Sequence, residues 1–286
     1  MLKAMSASES SGWTLVVPVK TLVAAKTRLS AAAGPHRAAL AVAIACDTVE
    51  AALSCALVAR VVVVTGDPVA AKALAEVGAH VVGDPEEGLN AALRHGAREA
   101  VRLAPGDPVG ALQADLPALR PAELARVLAA AAESGQMFLP DAAEIGTTFY
   151  GVRPGVPFTP GFGGESRERH LRRGAKELRV DGVESVRHDV DTPDDLRLAL
   201  ALGVGPRTLA MARRIAGPGP DGSSLDGSNP ERSSPDGSSP EGASLKGASL
   251  DGSSPEGSSP DGSSPERASP ERASPERGEG RRAGRG

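Results

Sequence analysis

Residues 59–83 read ARVVVVTGDPVAAKALAEVGAHVVG. The run Ala59–Thr65 is continuous, apolar and β-branched over the length of one strand, the pattern of a strand covered on both faces. Pro68–Val77 reads as a helix, with the proline near its start, where a missing N–H costs nothing. Ala79–Gly83 then reads as another apolar strand. A strand, a helix and a strand in immediate succession describe one unit of a parallel sheet.

The same alternation extends in both directions. Upstream, Thr14–Val19 is a short β-branched strand, followed by a polar loop and a helix over His36–Ala56. Downstream come a helix over Leu89–Leu103, a strand over Val109–Ala114 that ends at Asp115, and a helix over Pro121–Ala131. Short strands follow at Met137–Pro140 and Thr147–Tyr150, then a polar helix over Glu165–Leu178. The spacing predicts a last strand at Ser185–Val190 and a last helix at Thr192–Leu202, with Thr192 as N-cap and Pro193 at its first position. The fold class is α/β, a mostly parallel sheet with helices on both faces. In such folds the ligand sits at the carboxyl ends of the strands, so the residues just past each strand are the candidates for function.

The chain has 286 residues but two compositions. Residues 13–217 form one α/β domain, preceded by a flexible 1–12. From Pro218 to the end the chain is almost entirely Ser, Gly, Pro, Asp, Glu and Arg, in five-residue repeats such as DGSSP and ERASP. Such a segment has too little apolar surface to offset the entropy of ordering it, so 218–286 is expected to be disordered. Aromatic residues make up only 2%, so the core must be aliphatic. The net charge of −4 gives no reason to expect a nucleic-acid partner. Cys46 and Cys55 lie on one helical stretch and point to different faces, which suits a reducing compartment. No signal-like or membrane-length apolar run is present. Cytoplasmic localisation follows by elimination, without a membrane partner.

Two acidic groups stand at strand ends. Asp115 is followed at once by Leu-Pro, and Asp189 and Asp191 flank Val190 before the capped helix. Brought to one rim, their carboxylates suit Mg2+, which keeps waters and bridges to substrate phosphates. Asp191-Thr192-Pro193 equally serves as a helix cap, and Asp115 as a turn residue. Lys20, Lys26 and Arg28 follow the first strand, where three cations can hold a triphosphate. GxxxxGK[ST] is missing, and no GxGxxG links a predicted strand to a helix. Gly88-Leu89-Asn90 opens a helix, and Asn90 can cap it or bond a base. Gly146-Thr147-Thr148 and Phe162-Gly163-Gly164-Glu165-Ser166 offer hydroxyls and backbone to a phosphate and a carboxylate. His170 and His188 have no partner at metal-ligand spacing and read as surface or packing residues.

The segments WTLVVPVKTLVAAKTRLS, DPEEGLNAAL, ADLPAL, IGTTFYG, FGGESRERHLRRGA and DVDTPDDL occur in this order between Trp13 and about Leu202. In that order they resemble the guanylyltransferases of coenzyme F420 biosynthesis. These are the 2-phospho-L-lactate guanylyltransferases and their actinobacterial relatives that use phosphoenolpyruvate. The resemblance implies a Rossmann-like nucleotidyltransferase fold of the glycosyltransferase-A kind, with a mixed, mostly parallel sheet. The implied reaction joins GMP from GTP to phosphoenolpyruvate and releases pyrophosphate, and the product passes to later enzymes of the F420 pathway. By the family pattern Mg2+ sits on Asp115 and on Asp189 or Asp191. Thr148, Gly163 and Ser166 match the phosphoenolpyruvate site. Lys20, Lys26 and Arg28 match the triphosphate loop, with a catalytic role shared with Asp115, and Gly88, Leu89 and Asn90 match the nucleotide pocket. Phospholactate as acceptor is the alternative. Molybdenum-cofactor and sugar nucleotidyltransferases of the same fold, and a non-catalytic nucleotide-binding protein, are the other readings.

Overall fold

A computed structural model describes residues 12–20 and 33–217. Its strands are β1 (Trp13–Pro18), β2 (Val58–Val64), β3 (His80–Val82), β4 (Val109–Leu112), β5 (Gln136–Pro140), β6 (Thr147–Val152) and β7 (Lys176–Glu177). Its helices are α1 (Arg37–Leu53), α2 (Pro68–Glu76), α3 (Leu89–Leu103), α4 (Pro121–Ala131), α5 (Ser166–Arg172), α6 (Glu184–Arg187), α7 (Pro193–Leu202) and α8 (Pro206–Ala216). The strands form one seven-stranded sheet in the order β3-β2-β1-β4-β6-β5-β7. The pairs β1–β2, β1–β4, β2–β3 and β5–β7 are parallel, whereas β6 is antiparallel to both β4 and β5. The sheet is therefore mixed and mostly parallel, as expected.

Alternation along the strands supplies two cores. Leu15, Val17, Val61 and Val63 point to the face covered by α1, α2 and α4, through Val49, Leu74, Leu124 and Val127. Val16, Val62, Val64 and Ala111 point to the other face, where Leu93, Ala97 and Ala100 of α3 pack. Gly96 lets α3 lie this close, because a Cβ there would overlap the side chains of Val16 and Val64. A third cluster joins Leu40 and Ile44 of α1 to Val190, Ala199, Met211 and Ile215. The parallel half is aliphatic apart from Trp13 on β1. The few aromatic residues gather around β6, where Trp13 meets Phe149 edge-on and Tyr150 meets Phe158 likewise. Cys46 and Cys55 are both buried and free. No helix among the described residues is long and apolar enough to cross a membrane.

Three expectations are corrected. The first concerns Ser185–Val190, which is not a strand. Glu184–Arg187 is the single helical turn α6, and residues 188–190 extend outside the sheet. Buried Glu123 on α4 accepts hydrogen bonds from the backbone N–H and hydroxyl of Ser185 at 2.9 and 2.8 Å. These bonds take the place of strand pairing. Second, the helix expected over Glu165–Leu178 stops at Arg172. Gly174 takes a left-handed φ of +79°, with Ala175 N–H donating to His170 O and Gly174 N–H to Leu171 O. This pair of bonds is a Schellman stop, and it frees Lys176–Glu177 to pair with β5. Third, α8 was not expected. Buried Asp47 of α1 accepts from the N–H groups of Arg207 and Thr208 at 3.2 and 2.7 Å, capping a helix from a distant point in the chain.

Candidate active site

A cleft of about 600 Å3 opens at the carboxyl ends of β1, β4 and β5. Pro18, Val19 and Lys20 enter it from β1, Gln113 to Asp115 from β4, and Asp141 from β5. Because β6 runs the other way, its amino end reaches the same rim and brings Gly146 and Thr147. The remaining wall comes from Phe162 to Ser166, from Asp189 and Asp191, and from Ala41, Ile44 and Ala45 of α1.

One side of the cleft is acidic. Strand β4 ends at Leu112, so Asp115 sits in the loop beyond it rather than at the strand's last position. That loop is held by three hydrogen bonds. Thr48 Oγ1 accepts from Leu116 N–H at 3.1 Å, Asp115 O accepts from Val190 N–H at 3.0 Å, and Pro117 O accepts from Gly205 N–H at 2.9 Å. The Val190 bond draws the Asp189–Asp191 segment beside Asp115 although it is not a strand. Asp195 completes the arrangement by accepting from the N–H groups of Asp191 and Thr192 at 3.0 and 2.7 Å, in a capping box at the start of α7. Burial, and then the charges of Asp115, Asp191 and Asp141, push the Asp189 carboxyl up to about 7. Like charges crowded in a partly dry site disfavour ionisation, and a cation relieves that cost.

The wall formed by β6 and the start of α5 carries hydroxyls, with the exposed Glu165 carboxylate beside them. Thr147 Oγ1 lies 3.1 Å from Ser166 Oγ and 3.1 Å from His170 Nδ1, and all three residues are buried. His170 stacks on Tyr150, with ring centroids 4.9 Å apart, and also meets Phe138 and Phe162. Burial, with Arg173 and Arg169 nearby, lowers its pKa to about 4. Gly163 takes a φ of +98°, and its carbonyl accepts from Arg169 at 2.8 Å.

Most residues singled out in the sequence meet here, but not all. Lys20, Leu89, Asp115, Gly163, Ser166, Asp189 and Asp191 line the cleft. Lys26 and Arg28 lie outside the described residues. Thr148 does not line the cleft: its hydroxyl is buried without a hydrogen-bond partner, and Thr147 takes the place expected of it. The register shift between Leu139 and Pro140 sets Pro140 opposite Thr147, and that local irregularity cannot be read from a Thr-Thr pair. Asn90 neither caps α3, whose N-cap is Gly88, nor faces the cleft. Its amide bonds both the N–H and the carbonyl of Phe162, at 2.9 and 3.0 Å, and so pins the Phe162-Gly163 loop. His170 is a packing residue, as expected, but it also bonds to the cleft wall. Gln113 and Asp141 were not expected. Gln113 Nε2 donates to Thr147 O at 3.1 Å, and Asp141 accepts from the N–H groups of Ile145 and Gly146 at 3.0 and 2.8 Å, shaping the β5–β6 turn.

Comparison with known proteins agrees with this architecture. A solved nucleotide-diphospho-sugar transferase structure from Desulfovibrio desulfuricans G20 superposes with a TM-score of 0.54 at 18% identity, covering 72% of this chain and 99% of that one, a likeness of fold. The phosphoenolpyruvate guanylyltransferase of Streptosporangium roseum is 85% identical over 217 residues, 76% of this chain and 98% of that protein. That of Thermomonospora curvata is 61% identical over 204 residues, 71% and 90% of the two chains. The family model described as guanylyl transferase CofC-like matches residues 13–216, the whole of the sheet and its helices. A nucleotidyltransferase sheet with carboxylates gathered on one rim, matched end to end by that model, makes this chain a member of the CofC-like guanylyl transferase family.

Proposed function

We propose that this protein transfers GMP from GTP to phosphoenolpyruvate, giving enolpyruvyl-diphospho-guanosine and pyrophosphate, in the biosynthesis of coenzyme F420. The observation that carries the reading is the division of the cleft, in a member of a guanylyl transferase family, into a rim of clustered carboxylates and a rim of hydroxyls. The first suits a cation and a triphosphate, the second a small anion. An oxygen of the acid's phosphate forms a bond to the α-phosphorus of GTP, and the bond to pyrophosphate breaks. The nucleophile is already ionised, so no general base is needed. Lys20, with Lys26 and Arg28, holds the triphosphate and offsets its charge. Thr147, Ser166 and Gly163 hold the acid, and closeness of the two substrates supplies much of the rate.

Asp115 with Asp189 or Asp191 would hold Mg2+. The crowding that raises Asp189 fits a divalent cation. No group of three or more His, Cys, Asp and Glu side chains among the described residues could hold a metal. Phosphate oxygens and water would then complete the donor set, as is usual for Mg2+. When bound, the ion supplies positive charge against the transferring phosphoryl group. The test is pyrophosphate release by purified protein with Mg2+, offered each nucleoside triphosphate with phosphoenolpyruvate or 2-phospho-L-lactate. GTP with phosphoenolpyruvate should give the highest kcat/KM. A higher value with phospholactate would move the acceptor, and a failure of every acid to support pyrophosphate release would end the enzymatic reading.

A further inference from the structure

We propose that His170 is a positioning residue whose tautomer makes the Thr147–Ser166 pair a hydrogen-bond donor toward the cleft, and therefore a receptor for an anionic oxygen. The inference rests on the reading that the cleft takes a phosphorylated acid.

The tautomer is assigned from the hydrogen bonds around the ring. Gly161 N–H donates to His170 Nε2 at 2.9 Å, so Nε2 carries a lone pair and the proton of the neutral ring sits on Nδ1. Nδ1–H then donates to Thr147 Oγ1 at 3.1 Å. Between Thr147 and Ser166 there are two hydroxyl protons and one mutual bond of 3.1 Å. One proton closes that bond. The Nδ1–H donor bars the other from the ring, and both residues line the cleft, so that proton is directed there. With the opposite tautomer, Nδ1 would accept from Thr147, Ser166 would donate to Thr147, and the pair would face the cleft with lone pairs only. A lone pair repels a carboxylate or phosphate, and a hydroxyl proton binds it.

The surroundings keep the ring in this state. Protonation would set an Nε2–H against the Gly161 N–H. The ring is fully buried among Tyr150, Phe138 and Phe162, and the charged groups near it, Arg169 and Arg173 on and beside its own helix, are both cations. The arginines are in turn occupied by carbonyls, Arg169 by Gly161 and Gly163, and Arg173 by Thr159 and Pro160.

Three substitutions separate the role from packing. His170→Asn can place an amide N–H where Nδ1–H was, but gives up the Gly161 bond. His170→Gln can place an amide oxygen where Nε2 was, keeping the Gly161 bond but losing the donor to Thr147. His170→Phe keeps only the ring. The expected KM for the acid rises about 10- to 100-fold in the Gln and Phe variants, the worth of a hydrogen bond to a charged group, with kcat and the KM for GTP changed far less. The Asn variant should stay within about 5-fold of wild type, although it melts no higher than the Gln variant. An acid KM that is unchanged in all three, or that follows thermal stability so that Gln outperforms Asn, overturns the proposal. Pyrophosphate release by the wild type from GTP and phosphoenolpyruvate is the control on the functional reading. The ring 15N spectrum of His170 decides the tautomer whichever way that control falls. A protonated Nδ1 and bare Nε2 from pH 5 to 8 is the expected result, and an Nε2–H ring or an imidazolium at pH 6 refutes it.

Discussion

The two rims of the cleft each hold a partly or fully buried ionisable group forced toward its neutral form, yet they do so for opposite ends. Asp189 is raised to about 7 by burial among Asp115, Asp191 and Asp141, a cost that a cation entering the site removes. His170 is lowered to about 4 by burial and by two arginines that are themselves bonded to carbonyls, a cost that no ligand needs to remove. The difference separates a site built to receive charge from one built to stay neutral. A carboxylate cluster stores repulsion that binding relieves. A buried imidazole with both nitrogens satisfied stores direction, namely which way a hydroxyl proton points.

The contrast is sharpest at Asp115. Asp115→Asn keeps the shape of the loop held by Thr48, Val190 and Gly205 but removes the charge. Turnover should fall about a thousandfold, the scale of losing a central electrostatic group, while Tm moves by little. Substantial pyrophosphate release at saturating Mg2+ would take Asp115 out of the acidic rim's function.

The next effect is on stability against pH, and the two rims should give opposite signs. His170 binds its proton less tightly folded than unfolded. Its contribution is therefore complete above 6.5 and is lost as pH falls toward about 4, by at most about 3 kcal/mol. Asp189 binds its proton more tightly folded, so its contribution is complete at low pH and is lost as pH rises through about 7. In chelator, Asp189→Asn should raise Tm at pH 8 by about 5 °C and leave pH 5 nearly unchanged, and Mg2+ should erase the difference. His170→Phe should flatten the acid limb alone. Thermal melts from pH 4 to 8, with and without Mg2+, measure both, and a common sign for the two groups would break the comparison.

Asn90 supports the hydroxyl rim from outside the cleft although it was expected in the nucleotide pocket. Its two bonds to Phe162 hold the loop that carries Gly163. Asn90→Ala should raise the KM for the acid about tenfold and that for GTP less, as two modest hydrogen bonds allow. A larger rise for GTP would return Asn90 to the nucleotide. The smallest effect is expected at Glu165, an exposed carboxylate in the cleft wall. Glu165→Gln should lower the acid's KM by about 2-fold at low salt and by less at high salt, because exposed charges are screened.

The parallel half of the sheet was legible because its signals are local. Val61–Val64 and the helix opened by Pro68 carry their period in consecutive residues, and α3 and α4 begin and end where the sequence placed them. The antiparallel half was less so. The reading of Glu165–Leu178 as one helix failed at Gly174, whose left-handed turn frees Lys176 and Glu177 to pair with β5. Ser185–Val190 looked like a strand because Val186 and Val190 are apolar, yet a carboxylate from α4 captures Ser185. The capping of α8 joins residues more than a hundred positions apart, and no local pattern announces that.

At the cleft the division is the same. Sequence alone determined that Asp115 would stand just past an apolar strand, since a strand's boundary depends on neighbours along the chain. It also determined the cap of α7, because Thr192, Pro193 and Asp195 satisfy one helix end among themselves. Only the tertiary structure decided that Thr147 and not Thr148 faces the cleft, that Asn90 holds a loop, and that His170 aligns a hydroxyl. Side-chain direction at a register shift and the tautomer of a buried ring depend on partners brought from elsewhere in the fold. Their hydrogen bonds are worth most where water has been excluded, and that exclusion exists only once the sheet and its helices have packed.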